Sequence, residues 1–108
     1  MRIYIAGPMT GHADMNFPTF HAAAVQLRAI GHEVVNPAEI NAEETANSWA
    51  ACMRADIAEL VKCDALALLP GWHKSKGATL EARIASDLGM DIQMVEDWVI
   101  GRSAGVSA

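Results

Sequence analysis

Apolar and polar positions along the chain follow two alternating periods. Short, nearly continuous apolar runs predict buried strands, and longer segments with apolar residues at helical spacing predict helices between them. The predicted strands are 2–6, 32–37, 64–69 and 91–95. The predicted helices are 18–31, 49–63 and a third that ends at Gly89. In the first helix the apolar stripe consists of Phe20, Ala23, Ala24 and Leu27.

Two segments repeat the order helix, glycine, strand, at Gly31 and at Gly89. This repetition predicts right-handed β–α–β crossovers and therefore a parallel sheet. The expected fold class is α/β, a Rossmann-like (flavodoxin-like) three-layer fold with four to five strands flanked by helices. We expect one domain over 1–98 and a flexible tail over 99–108, because the tail is rich in Gly, Ser and Ala.

The segment 38–48 is polar and irregular, and either Thr45 or Ser48 could cap the helix that follows it.

Composition narrows the classes of partner. The chain has 108 residues, a formal net charge of −5 and a pI near 5.2, which argues against a nucleic acid or an anionic membrane surface. Cys52 and Cys63 give no disulfide framework, and the N-terminus has the pattern of a strand rather than a signal peptide. We therefore expect reduced thiols in a cytoplasmic protein. The histidines and cysteines have no metal-ligand spacing, so neither a metal nor another cofactor is expected.

Two glycine-containing loops, 7–16 and 71–77, follow predicted strands and lead toward predicted helices. Ligands of open parallel sheets bind beyond the carboxyl ends of the strands, and helix N-termini offer free N–H donors to an anion. The first loop reads Gly-Pro-Met-Thr-Gly, which is neither a Walker loop nor a dinucleotide fingerprint. Its glycines therefore indicate either an anion site or only a tight turn.

Asp56 falls on the apolar face of the second predicted helix, in line with Trp49, Met53 and Leu60. A carboxylate on such a face is costly unless it is paired. Asp56 is thus either a structural group, in an ion pair or a hydrogen bond to a loop, or an acid or base in a functional site.

Glu81 lies near the start of the third predicted helix. Leu80, Ile84 and Leu88 are its predicted buried stripe, and Glu81 borders that stripe. The helix dipole favours the ionised carboxylate there. Glu81 is therefore either a capping-type acid or a carboxylate suited to act as a nucleophile or to stabilise a cation.

Three segments, "IYIAGP", "RADIAELVKCDALALLP" and "SKGATLEA", together resemble the nucleoside 2-deoxyribosyltransferase superfamily. The similarity is greatest to a branch of small, often phage-borne domains with the motifs YIAGPMTG and LPGWxxSKGAxxE. The resemblance implies a hydrolase or transferase that cleaves the N-glycosidic bond of a (deoxy)nucleoside or its 5′-monophosphate. It also implies a homodimer or higher homo-oligomer whose subunits complete each other's sites.

The resemblance implies a role for each matching residue. Glu81, in Gly-Ala-Thr-Leu-Glu, would be the nucleophile, Asp56 an acid or base, and Tyr4 the group that positions the glutamate. The residues implied in substrate or phosphate binding are Gly7, Met9, Gly11, Ser75 and Gly77.

The chain also departs from the family pattern. Transferases often carry an extra acid shortly before the nucleophile, whereas 74–76 reads Lys-Ser-Lys here, which favours an anionic substrate. The chain also lacks most of the C-terminal extension that helps to close the site in the characterised enzymes. A nucleotide-binding or sensing module without turnover is therefore the alternative function.

Overall fold

The computed structural model describes residues 1–40 and 48–107, and the side chains of these residues up to 101. Four parallel strands form one sheet in the order β2-β1-β3-β4. The strands are β1 Arg2–Ala6, β2 Glu33–Val35, β3 Ala65–Leu68 and β4 Asp91–Met94. Helices cover both faces of this sheet, which confirms the predicted three-layer α/β fold with four strands.

Five helices connect or follow the strands. They are α1 Phe17–Ala29, α2 Pro37–Ile40, α3 Trp49–Leu60, α4 Lys76–Asp87 and α5 Val95–Ser107. The sequence did not predict α2 or α5, and the expected flexibility of 99–108 stays a prediction. Ser48 caps α3, because its Oγ accepts a hydrogen bond from the N–H of Ala51 at 3.1 Å. The other candidate cap, Thr45, lies outside the described residues.

The central strand β1 shows how the sheet separates two cores. Ile3 and Ile5 pack with buried residues of α1 and α5. Tyr4 and Ala6 point to the opposite face and pack with residues of α3 and α4. Successive side chains of a strand alternate between faces, so this short strand contributes to both hydrophobic clusters.

The buried face of α4 differs from the predicted one. Leu80 and Leu88 are exposed, at 36% and 57% of their surface, so the predicted Leu80–Ile84–Leu88 stripe is wrong. The buried positions are Ala78, Glu81 and Ala85. Small side chains let a helix approach the sheet closely, whereas a pattern based on hydrophobicity favours leucine over alanine. Glu81 consequently lies at the centre of the buried face and not at its border.

Gly7 joins β1 to the first loop at a point of close backbone packing. A Cβ placed on Gly7 would lie 2.7 Å from Cβ of Leu69, a separation that real Cβ atoms do not show. Leu69 directly follows β3, and its N–H donates to the carbonyl of Ala6 at 2.9 Å. The two neighbouring strands therefore end in contact, and both loops start from the same point of the sheet edge.

We predict that Gly7→Ala destabilises the protein by about 1–3 kcal/mol, because the added methyl group forces the ends of β1 and β3 apart. Urea unfolding followed by circular dichroism measures the change.

Gly101→Ala is the matched control. Gly101 lies within α5, and the nearest atom to an added Cβ is Gln93 Oε1 at 3.6 Å, an ordinary contact. There the same substitution should stabilise by about 0.5–1 kcal/mol, because alanine favours the helix. Equal effects at the two positions would refute the packing role of Gly7.

Candidate active site

A pocket of about 780 Å³ opens at the carboxyl edge of the sheet, between the loop after β1, helix α3 and the start of α4. This is the expected ligand position for an open parallel sheet. Its volume is within the range of small-molecule sites. Of the residues predicted for the site, the following line it: Gly7, Met9, Asp56, Ser75, Gly77 and Glu81.

Glu81 and Tyr4 form the inner end of the site. Tyr4 lies in the middle of β1 and is fully buried, and its hydroxyl donates a hydrogen bond to Oε2 of Glu81. Glu81 lies in the second turn of α4 and exposes only 5% of its surface. The strand thus fixes the orientation of a carboxyl group that the helix brings to the pocket wall.

Asp56 approaches the same pocket from α3. It is 5% exposed and shares the buried face of that helix with Met53 and Leu60, as the pattern predicted. Asp56 and Glu81 therefore bring two buried carboxyl groups from two helices to one pocket.

Burial dominates the electrostatics of these groups. It raises the pKa of Glu81 to about 8; the Tyr4 hydroxyl lowers that pKa, and the negative charge of Asp56 raises it further. Burial also raises the pKa of Tyr4 well above its ordinary value, with the charges of Glu81 and Asp56 acting in the same direction. Below about pH 8 Glu81 therefore holds a proton. The helix dipole was expected to keep Glu81 ionised, but desolvation outweighs that effect.

The outer end of the pocket is positively charged. Lys74 and Lys76 line it and flank Ser75, which is the N-cap of α4. The Ser75 Oγ accepts from the N–H of Ala78 at 3.1 Å, so its own O–H can still donate to a ligand. Lysines thus line the outer end of the pocket, and carboxyl groups line its inner end.

Gly77 keeps α4 close to α3. A Cβ at this position would lie 3.1 Å from Sδ of Met53 and 3.7 Å from Nε1 of Trp49. The absence of a side chain at Gly77 therefore brings the start of α4 against the α3 wall of the pocket.

Gly11 is not brought into the site. It is exposed and is not among the lining residues, although the sequence analysis included it with Gly7 and Met9. Its φ of +85° makes it a turn residue of the loop, which was the alternative for these glycines.

Several lining residues were missed as site residues. Trp49 and Met53 were assigned only to the apolar stripe of their helix, and Cys52 to the core. Their signal was spacing: Met53 lies one turn and Trp49 two turns before Asp56 on the same face, so a site that contains Asp56 also contains them. Phe20 of α1 was likewise assigned only to an apolar stripe, and Phe17 to the loop before the helix.

The first loop approaches the pocket through an unusual turn. Asp14, Met15 and Asn16 all have positive φ, between 52° and 61°. The Asn16 side-chain amide donates to the carbonyl of Pro8 at 2.9 Å and braces this turn, and Met15 lines the pocket.

Residues 1–94 match a protein family described as a domain of unknown function, DUF4406. The chain belongs to the DUF4406 family. No functionally curated protein matched its sequence significantly.

Solved structures similar to this DUF4406 protein include two 2-deoxyribosyltransferases. The enzyme from the psychrotolerant bacterium Bacillus psychrosaccharolyticus is 20% identical with a TM-score of 0.69, over 87% of this chain and 71% of that chain. The enzyme from Leishmania mexicana is 20% identical with a TM-score of 0.66, over 86% of this chain and 62% of that chain. At this identity the similarity shows a shared fold. The DUF4406 chain covers 62% of the Leishmania protein, which is less than two thirds of that protein's length.

Two negative findings apply to the described part of this DUF4406 protein. No cluster of three or more His, Cys, Asp or Glu side chains within it could hold a metal ion. None of its helices has both the length and the apolar character needed to cross a membrane.

The raised pKa of Glu81 predicts a pH-dependent effect of Glu81→Gln on stability. The folded state binds the Glu81 proton up to about pH 8, whereas the unfolded chain releases it near 4.5. Between these values the folded state holds more protons, so the stability of the wild type falls as pH rises. Glu81→Gln removes this loss while Gln can still accept from Tyr4. The variant should therefore gain stability relative to the wild type between pH 5 and pH 8, by on the order of 3 kcal/mol.

Denaturant unfolding of both proteins at the two pH values measures the gain. Glu96→Gln, which changes an exposed carboxylate at the start of α5, is the matched control and should differ from the wild type by less than about 0.5 kcal/mol at both. The same difference between Glu81→Gln and the wild type at pH 5 and pH 8 would contradict the raised pKa.

Proposed function

We propose that this protein cleaves or transfers the N-glycosidic bond of a (deoxy)nucleoside 5′-monophosphate or nucleoside, with Glu81 as the nucleophile. The observation that carries the proposal is that two buried carboxyl groups, Glu81 and Asp56, line one pocket at the carboxyl edge of the sheet. The fold shared with two 2-deoxyribosyltransferases supports the same reaction class. We therefore also propose membership of that superfamily, in the small, often phage-borne branch.

In the first step, a carboxylate oxygen of Glu81 attacks C1′ of the sugar as the C1′–N bond breaks. The electron pair of that bond moves to the base, and a glycosyl ester forms on Glu81. The leaving nitrogen, or an atom conjugated with it, receives a proton from Asp56. Tyr4 holds Glu81 in place through its hydroxyl hydrogen bond.

The proton on Glu81 in the empty pocket has a role in this scheme. Glu81 must be ionised to attack, and Asp56 must be protonated to assist the leaving base. Transfer of one proton from Glu81 to Asp56 satisfies both requirements without any exchange with solvent. In the second step water, or a nitrogen of another base, attacks C1′ and gives a proton to Asp56. The C1′–O bond of the ester breaks, and its electron pair returns to the Glu81 carboxylate.

The lysine end of the pocket supports a phosphorylated substrate. Lys74, Lys76 and the Ser75 hydroxyl lie together at the start of α4 in a chain whose net charge is −5. A 5′-phosphate bound there would place the sugar toward the inner carboxyl groups. Its binding energy would then orient the reacting carbon. Gly7, Met9 and Gly77 would border the sugar and phosphate, whereas the position of Gly11 gives it no such role.

The alternative is a nucleotide-binding or sensing module without turnover. The raised pKa of Glu81 supports this alternative, because at neutral pH a protonated Glu81 donates or accepts hydrogen bonds but does not attack C1′.

A homo-oligomer remains part of the proposal. Leu80 of α4 and Leu88, which caps the C-terminal end of α4, expose apolar surface two turns apart, beside the partly buried Ile84. Contact with another copy would cover this stripe. We also expect a cytoplasmic location, no polymeric nucleic acid partner and no cofactor.

We predict that the protein releases free base from at least one member of a panel of nucleosides and nucleoside 5′-monophosphates. Glu81→Gln should lower the rate by about 10³-fold or more, since it removes the nucleophile. Asp56→Asn should lower it by about 10²–10⁴-fold, because it removes the proton donor. Chromatography of the released base measures both effects.

Glu96→Gln is the control and should retain full activity, since its carboxylate is exposed on α5. Binding of nucleotides that are recovered unchanged, with little effect of Glu81→Gln on affinity, would refute turnover and support the sensing module. Full activity of Glu81→Gln would exclude Glu81 as the nucleophile.

A further inference from the structure

Trp49 carries a contact that the proposed reaction does not explain. The ammonium group of Lys76 lies over the Trp49 ring, 4.1 Å from its centroid. Trp49 is the first residue of α3, and Lys76 is the first residue of α4. Both residues line the outer end of the pocket. The ring is 41% exposed, so it lies at the rim and is not part of the core.

We propose that Trp49 is a positioning residue for Lys76: its ring holds the ammonium group at the rim, where it meets the phosphate of an anionic ligand. The inference rests on the proposed function only in that the ligand carries a phosphate group. Cleavage of a glycosidic bond is not required for it.

The ring lies against the start of α4. Trp49 Nε1 would lie 3.7 Å from a Cβ on Gly77, an ordinary van der Waals distance, so the indole packs beside this glycine. Gly77 directly follows Lys76, and it packs against Met53 one turn further along α3. The indole therefore lies beside the start of α4, where Lys76 reaches its face.

Lys76 can bind a phosphate oxygen without leaving the ring, because its ammonium group has three N–H donors and the ring occupies one side of it. A cation–π contact at an exposed site changes an equilibrium constant by roughly two- to five-fold. A charge-assisted hydrogen bond to a phosphate oxygen is worth more, roughly ten- to a hundred-fold. The ring therefore restricts a flexible lysine in the empty pocket without competing strongly with the anion. Its contribution is to reduce the ordering cost of binding.

Lys74 provides an internal comparison. It also lines the pocket and is exposed, at the end of the short 3₁₀ turn Trp72–Lys74. Among the side chains of residues 1–40 and 48–101, the only cation–π contact is between Lys76 and Trp49, so Lys74 makes none. A variant of Lys74 thus removes a charge of the same kind without affecting the ring contact.

The test is a double-mutant cycle on the binding of 2-deoxyribose 5-phosphate to the full chain, measured by calorimetry. This ligand has no base to release, so the result does not depend on turnover. Lys76→Met should weaken binding by roughly ten-fold or more. Trp49→Leu should weaken it by roughly two- to five-fold in the wild type and leave it unchanged in the Lys76→Met background. Trp49→Phe, which keeps an aromatic face, should restore most of the affinity.

Two controls separate this role from a structural one. Lys74→Met should leave the effect of Trp49→Leu intact, because the ring contact remains. Binding of unphosphorylated 2-deoxyribose should not respond to Trp49→Leu. Three results would overturn the inference. Trp49→Leu could weaken binding equally with and without Lys76, it could leave the affinity unchanged, or the wild type could fail to bind the phosphorylated sugar. Base release without coupling between Trp49 and Lys76 would leave the proposed function intact and refute this positioning role alone.

Discussion

The burial of the Glu81 carboxyl group against Tyr4 is the interaction on which the site depends. A carboxyl group with 5% exposure is costly in ionised form, and here it is retained by one hydrogen bond from a strand residue. The negative charge of Asp56 adds to the cost, and together these effects raise the pKa of Glu81 to about 8. A group that would be an ordinary surface acid elsewhere on a helix thereby holds a proton at neutral pH, in a pocket that a second carboxyl group also lines.

Close packing around the sheet edge makes this arrangement possible. Gly7 allows the ends of β1 and β3 to meet, and Gly77 allows α4 to approach α3. Ala78 and Ala85 bring α4 onto the sheet, so that Glu81, between them, reaches the hydroxyl of Tyr4. The positions assigned to phosphate contact by resemblance thus have a second explanation. At Gly7 the structure requires a glycine for packing whether or not a ligand binds, and at Gly77 a side chain would press against Met53.

Periodicity predicted the fold where a helix or strand buries one regular face. The stripe Phe20, Ala23, Ala24 and Leu27 is buried as predicted, and the glycines at 31 and 89 both have positive φ between a helix and a strand. The pattern also placed Asp56 on a buried face. It failed on α4, where alanines and a glutamate are buried and leucines are exposed, because hydrophobicity does not measure how closely a helix approaches. The helix α5 was missed because its sequence contains two glycines and no clear apolar period.

The pKa of Glu81, which depends on tertiary burial, could not be derived from the sequence, and its direct measurement is the sharpest test of this account. The carboxyl carbon of Glu81 can be followed by NMR through a pH titration of the wild type and of Asp56→Asn. The account predicts a midpoint near 8 in the wild type and a lower one in the variant, because the neighbouring charge is removed. A midpoint near 4.5 in the wild type, as for an exposed glutamate, would contradict it.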